Sequence, residues 1–270
     1  MKIELDLTKT LAQNADEFFQ KSKKAKKKLE GLEKAIIDSE KKLSSMSEVS
    51  VQIEKEKKEK LLKKRKKQWF ERFHWFYSSE NKLVLAGRDA NSNEDLIKNY
   101  MKSGDLYFHA DIHGSPHCII KTQKNFATTE EKNEAAIFVG SFSKAWDAKI
   151  SSLDVYSVLP EQVSKTPPSG ESMGKGSFMI YGKREWFKKT PLHLAVGVEK
   201  MEESLVVVSG PESAVKKHAL FCVRIIQGNS PKNDAAKYLK QLFEKKLNVL
   251  GIDLDEIVSM LPSGGIKIVE

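Results

Sequence analysis

Cysteine is scarce in this 270-residue chain, which has two, Cys118 and Cys222. They lie in the apolar stretches "HCII" and "LFCVRII". Neither a disulfide framework nor a cysteine-rich metal knuckle can be built from them, and both are expected as buried free thiols. Long hydrophobic runs are absent as well. No stretch approaches the roughly 18 uninterrupted apolar residues of a membrane span, and the opening "MKIELDLTKT" lacks the apolar core of a signal peptide. A cytoplasmic protein with no membrane partner is expected. Also missing are a serine nucleophile elbow and a cysteine dyad, which removes the commonest covalent hydrolases.

The composition is 40% hydrophobic, enough for one substantial core plus an appendage or for two small domains. The net charge of +9 suggests a polyanionic partner, but its location decides what it means. Residues 1–68 hold 20 Lys and Arg against 12 Asp and Glu, leaving 26 against 25 for the remainder. Nearly all the excess lies in the first quarter, so any nucleic-acid contact by the rest must come from local patches.

That first quarter is periodic. Leu11, Ala15, Phe18, Ser22, Ala25, Leu29, Leu32, Ile36, Ser39, Leu43 and Met46 alternate steps of four and three, a heptad seam. Thr10 and Gln13 fit a capping box at its start. The serine-rich "SSMSEVS" predicts a turn, followed by a second helix from Ser50 through "IEKEKKEKLLKKRKKQWFERF". The expected result is an antiparallel coiled-coil hairpin over residues 1–68. The tract "KEKKEKLLKKRKK" reads either as a solvated helix face or as a basic arm. Trp69, Phe70, Phe73, Trp75 and Phe76 follow at once and are expected mainly as core, with the domain junction near residue 69.

From 69 to 270 short apolar runs alternate with helical stretches. "KLVLAGRD", "DLYFHAD", "HCIIKT", "LDVYSVL", "SFMIYGK", "HLAVGV", "LVVVSG" and "FCVRIIQG" predict strands. Helices are predicted around 130–147 and at "PESAVKKHA", "SPKNDAAKYLKQLFEKKL" and "DLDEIVSML". The class is α+β, a mixed β-sheet domain with flanking helices.

Three stretches could carry chemistry. In "HADIHGSPHC", Gly114 and Pro116 forbid a helix, so His109, Asp111 and His113 could share a face only as alternate strand residues. That set suits a metal-dependent hydrolase or nuclease with Arg88 and Asp89 in the same cleft, but no further ligand is visible. "GESMGKG" fails as a Walker A loop: three residues separate Gly170 from Gly174 where four are needed, and Gly176 stands where Ser or Thr should hold magnesium. The surrounding "QVSKTPPSGESMGKGSF" reads either as a plain surface loop or as one whose glycine amides approach a phosphate. In "GRDANSNED", Ser92 and Asp95 fit a capping box, which leaves Asp89 with nothing to cap and Arg88 and Asp89 free to face outward or pair with neighbours.

Together these motifs resemble a known family. "WFERFHWFYSSENKLVLAGRDANSNEDLIKNYMKSGDLYFHADIHGSPHCIIK", "SKAWDAKI" and "QVSKTPPSGESMGKGSFMIYGKREWF", in this order, closely resemble the R domain of the NFACT proteins, and "LDLTKTLAQNADEFFQKSKKAKKKLEGLEKAI" is similar to the second half of that family's coiled coil. The resemblance implies a nonenzymatic, cofactor-free module of ribosome-associated quality control. Its implied partners are rRNA of the large ribosomal subunit carrying peptidyl-tRNA, tRNA itself, and a quality-control protein on the coiled coil. The family's N-terminal domain has no counterpart here, so the chain is expected to be a C-terminal portion that does not itself support template-free tailing. Carried over by motif, the implied RNA-binding residues are Arg88, Asp89, Asn93, His109 and Asp111. Lys144, Lys165, Ser169, Lys175 and Lys183 are the phosphate-facing candidates of the glycine loop and its surroundings. A protein–protein scaffold acting through the hairpin is the remaining alternative.

Overall fold

The computed structural model describes residues 4–6, 8–61, 66–122, 126–166, 173–202 and 204–269, with the backbone alone for 42–61. The chain divides into two units, residues 1–57 and 58–270.

The first unit is built on one long helix, α1 (Leu11–Leu61). Its start is capped as the sequence predicts: Thr10 N donates to Gln13 Oε1 at 2.9 Å and Gln13 N to Thr10 Oγ at 3.3 Å. Buried Asn14 ties the preceding segment back, accepting from Asp6 N at 2.8 Å and donating to Asp6 O at 2.9 Å. The seam residues Leu11, Phe18, Leu29, Leu32 and Ile36 are exposed. The expected hairpin is corrected here, because the helix continues through Ser44–Ser50 where a turn was predicted. That stretch contains neither glycine nor proline, and serine costs a helix only a few tenths of a kcal/mol. Ser39 shows how serine is accommodated, its hydroxyl donating to Ala35 O at 2.7 Å one turn back.

The second unit contains the strands β1 (His74–Tyr77), β2 (Leu83–Ala86), β3 (Leu106–Ala110), β4 (Cys118–Ile120), β5 (Ser152–Val158), β6 (Val163–Ser164), β7 (Met179–Ile180), β8 (Glu185–Pro191), β9 (His193–Met201), β10 (Ser204–Gly210), β11 (Phe221–Ser230) and β12 (Ile266–Val269). The helices are α2 (Ala90–Asp95), which passes into a π turn over Leu96–Tyr100, then α3 (Thr129–Ser141), α4 (Lys144–Asp147), α5 (Glu212–His218), α6 (Lys232–Leu247) and α7 (Leu254–Met260). Six strands form the main sheet in the order β1-β2-β4-β3-β5-β8, four form a second sheet in the order β10-β9-β11-β12, and β6 pairs with β7. Every pairing is antiparallel. The observed class is therefore α+β, as expected.

One core serves both sheets. Phe70, Phe73, Trp75 and Phe76 are buried in it, whereas Trp69 is 46% exposed and stacks on Tyr100 at 4.6 Å. Close approach requires glycine where β1 meets β10: a Cβ on Gly210 would lie 2.9 Å from Phe76 Cγ. Helix α3 covers one face of the main sheet with Phe138 and Val139 buried. The single helix predicted over 130–147 is broken at Phe142, because the Ser143 hydroxyl accepts from Ala145 N at 3.2 Å and starts α4 afresh. Strands β1, β6, β8 and β12 were not predicted. The first is an aromatic run with no alternation to read, and β8 is an edge strand with most of its residues exposed.

Proline at Leu32 removes a helical hydrogen bond and clashes with the preceding turn, roughly 3 kcal/mol or more. Leu32→Pro is expected to lower the helical circular-dichroism signal while leaving the near-ultraviolet signal and unfolding midpoint of residues 58–270 in place. Loss of both signals together would refute the independence of the two units.

Candidate functional site

Three loops converge at the ends of β2, β3 and β4. The first begins at Gly87, whose N–H donates to His117 O at 3.0 Å. A Cβ there would fall 2.0 Å from Asn93 Oδ1, so only glycine lets the two segments close. Asp89 is the N-cap of α2: its Oδ1 accepts from Ser92 N at 2.8 Å and from the Ser92 hydroxyl at 2.9 Å. This corrects the expected Ser92/Asp95 box. Asp95 instead forms an ion pair with Arg72. The bonds from Ser92 hold the Asp89 carboxyl below the usual carboxylate range.

Asn93 Oδ1 accepts from His117 N at 3.0 Å, joining the first loop to the second. The His117 ring joins both to the glycine loop. Its Nε2 lies 2.8 Å from Gly176 O and its Nδ1 2.5 Å from the Tyr107 hydroxyl. A carbonyl only accepts, so Nε2 carries the proton and Nδ1 receives the Tyr107 O–H. Burial, with His109 adjacent at 5.1 Å between ring centres, pushes His117 down to about 3. Burial likewise takes His109 to about 4.

The glycine loop is held from its other side by Glu94. Gly176 N donates to Glu94 Oε2 at 3.0 Å, Lys165 Nζ lies 3.4 Å from the same oxygen, and Lys98 Nζ lies 2.6 Å from Oε1. The Lys98 bond, then the Gly176 amide, hold Glu94 at about 2. Lys165 also donates to Gly174 O and Ser177 O, both at 3.1 Å. Gly176 itself has φ +76°, and a Cβ would meet Ala90 O at 2.8 Å.

These loops enclose a cleft of about 460 Å³ lined by Arg88, Asp89, Asn93, His109, His117 and Gly176 among others. Arg88 is exposed, with Nη2 donating to Phe73 O at 2.9 Å and Glu71 O at 3.3 Å. Lys144 is exposed, and a Cβ on cleft residue Gly114 would meet its stem at 2.6 Å. Lys175 and Lys183 are exposed; with Arg88 and Lys144 they have no ion-pair partner among the described residues. Lys165 differs, because its ammonium is bound by the loop. Asp111 is exposed outside the lining, and Ser169 lies outside the described residues.

His109, Asp111 and His113 do not form a metal site: no group of three or more His, Cys, Asp or Glu among the described residues is placed to hold an ion. The strand ends at Ala110, and Gly114, at φ +82°, turns the chain, so the alternation stops after His109. Both cysteines are free, Cys118 buried and Cys222 half-buried. Sequence reasoning missed His117, Gly87 and Glu94, and two further groups near Arg88. His74 stacks on Phe142 at 4.1 Å with Nδ1 buried and without a hydrogen-bond partner. Its pKa lies well below the ordinary range through burial and then the charges of Arg88 and Lys232, the latter in the first turn of α6.

Two outcomes test this geometry. Gly87→Ala is expected to displace Asn93, break its bond to His117 and cost roughly 1–3 kcal/mol, read as a lower denaturant midpoint. The second concerns acid. Unfolded histidines take up protons near 6.5, whereas His109 and His117 do so only at about 4 and about 3 when folded. The unfolded state therefore binds more protons below about 6.5, and stability is expected to fall as pH drops from about 6.5 to about 5.5, before most carboxylates begin to titrate. A midpoint that does not move across that window would contradict the buried neutral pair.

Residues 72–182 match the family described as NFACT protein RNA binding domain, and residues 1–72 match the NFACT N-terminal and middle domains. The chain is 39% identical over 213 residues to the archaeal Rqc2 homolog aRqcH of Methanocaldococcus jannaschii, 79% of this chain and 31% of that protein. It is 39% identical over 190 residues to the ribosome quality control complex subunit NEMF of Homo sapiens, 68% of this chain and 17% of that protein. To the Rqc2 homolog RqcH of Streptococcus suis it is 27% identical over 208 residues, 71% of this chain and 36% of that protein. The chain thus spans between 17% and 36% of the length of these relatives. Two adjoining family matches over residues 1–182 and the relatives that share most of the chain lead to one conclusion: it belongs to the NFACT family, and residues 72–182 are its RNA-binding domain.

Proposed function

We propose that this chain is the RNA- and ribosome-binding part of a ribosome quality control factor, and that it binds rather than catalyses. The observation that carries the reading is the rim of the cleft. Arg88 lines it, Lys144 packs beside lining residue Gly114 and Lys175 adjoins lining residue Gly176 in the chain, each without a carboxylate partner among the described residues, around a floor whose polar groups bond to one another. Unpaired cations can take phosphate oxygens without first breaking an ion pair, whereas burial keeps His109 and His117 neutral and both ring nitrogens of His117 are bonded within the protein. Arg88 is pre-positioned by its two carbonyl contacts, which leaves the rest of its guanidinium for a ligand.

The proposed partners are large-subunit rRNA and tRNA, with the large subunit carrying peptidyl-tRNA as the physiological target. Support comes from the RNA-binding match and from relatives named as ribosome quality control factors. Lys165 positions the glycine loop, while Lys144, Lys175 and Lys183 face the phosphate backbone and Asn93, His109 and Asp111 line or flank the approach. The basic first quarter adds attraction that does not depend on sequence.

Arg88→Ala and Lys144→Ala are both substitutions of exposed residues and should leave the fold intact. Each is expected to weaken binding to tRNA and to large subunits and to reduce the logarithmic salt slope by about 1. Replacing Lys23, Lys24, Lys26, Lys27 and Lys28 together by glutamine should flatten the slope for bulk RNA without changing the preference among RNAs. Binding isotherms over a salt series check both; unchanged affinity in Arg88→Ala would remove the cleft from the interface.

A further inference from the structure

The face of the main sheet opposite α3 carries a row of rings running from the cleft to the sheet edge. His109 on β3 is the direct cross-strand partner of Tyr156 on β5, and Tyr156 is the partner of Trp186 on β8. Ring centres along the row are 5.9 and 5.3 Å apart. The alternation of β8 fixes which face this is. Glu185 and Phe187 turn toward the covered side, where Glu185 meets Lys132 of α3 at 2.9 Å and Phe187 packs on buried Phe108. Arg184, Trp186 and Lys188 therefore point the other way.

Trp186 is 38% exposed on an edge strand, with one side of its ring packed on buried Tyr156 and the rest open. Cations crowd its surface: Arg184 Cζ is 4.5 Å from the Tyr156 ring centre and 5.9 Å from that of Trp186, and Lys188 Nζ is 4.3 Å from Trp186. Lys188 is balanced by Asp154 at 2.7 Å, but Arg184 has no carboxylate partner among the described residues. An exposed indole beside an unpaired guanidinium offers a flat π surface and a positive charge together, which is what a nucleobase and its phosphate require. A protein partner would need a broader apolar patch, and the flanking Lys183 and Lys189 make this edge basic.

We propose that Trp186, packed on the buried Tyr156 ring and flanked by Arg184, is a base-stacking site for an unpaired RNA strand at the sheet edge. This rests on the RNA-binding reading above and specifies the form of RNA. A duplex hides its base faces in its own stack, so an exposed ring can take only an unstacked base. When a base arrives, Lys188 leaves the indole face and moves to the neighbouring phosphate.

The test uses the full chain, an unstructured oligouridine and an A-form duplex of equal length, with affinities measured over a salt series. Trp186→Ala is expected to weaken oligouridine binding about tenfold, leave duplex binding unchanged and leave the salt slope unaltered, because stacking releases no counterions. Trp186→Phe should restore most of the loss. Circular dichroism checks that the exposed substitution leaves the fold intact. Equal affinity of Trp186→Ala and wild type for oligouridine, or equal losses for both RNAs, would overturn the stacking site. If Arg88→Ala still weakens binding in either case, the cleft reading survives alone; if wild type binds neither RNA, both readings fall.

Discussion

The two-sided hydrogen bonding of the His117 imidazole is the interaction on which the site depends. One ring nitrogen receives the Tyr107 hydroxyl and the other donates to Gly176 O, while the backbone N–H of the same residue is fixed by Asn93. Three segments distant in sequence are thereby held through one residue. The arrangement works only with a neutral ring, and burial supplies the neutrality. Protonation would remove the acceptor that the Tyr107 hydroxyl uses and place a charge in a buried position with no carboxylate bonded to it among the described residues.

Around this point the polar groups fall into two sets. One set is committed to bonds within the loops, as His117 is to Gly176, Asp89 to Ser92 and Lys165 to the loop carbonyls. Those at the rim are cations without partners among the described residues. A committed floor and an open rim favour a ligand that brings its own negative charge and needs positioning more than activation. The carboxylates follow the same logic. Glu94 is kept ionised by Lys98 and the Gly176 amide, so it serves as an acceptor that orders the loop.

Charge is unevenly distributed along the chain. Residues 1–68 hold nearly all of the excess basic charge, suited to nonspecific, salt-sensitive attraction. Residues 69–270 are nearly neutral and offer discrete cations beside the sheet, suited to local contacts.

Much of the fold was legible in sequence because its signals are local. The Thr10/Gln13 cap, the helix that begins at Leu11 and the strands with apolar runs depend on neighbours within a few residues, and they appear where predicted. What failed depended on context. Serines at 44–50 read as a turn, yet serine tolerates a helix when nothing stronger interrupts it. Asp89 read as free because Ser92 also fits a cap, and two overlapping capping patterns cannot be ranked without backbone geometry. The aromatic run into β1 and the exposed β8 lack the periodicity that would reveal them.

The sequence by itself therefore determined the class, the uneven charge, the absence of a cysteine framework and the stretches from which the site is drawn. Only the tertiary structure decided which members of those stretches meet. Arg88, Asn93, His109, His113 and Gly176 share a cleft, whereas Asp111 lies outside its lining because the strand that carries His109 ends at Ala110. His117 becomes central through its bond to the loop carbonyl of Gly176, and Trp186 meets Tyr156 through the pairing of β5 with β8. The physical reason is that hydrogen bonding and ring stacking act over about 3–6 Å in space, a proximity set by sheet register and glycine-permitted close approach.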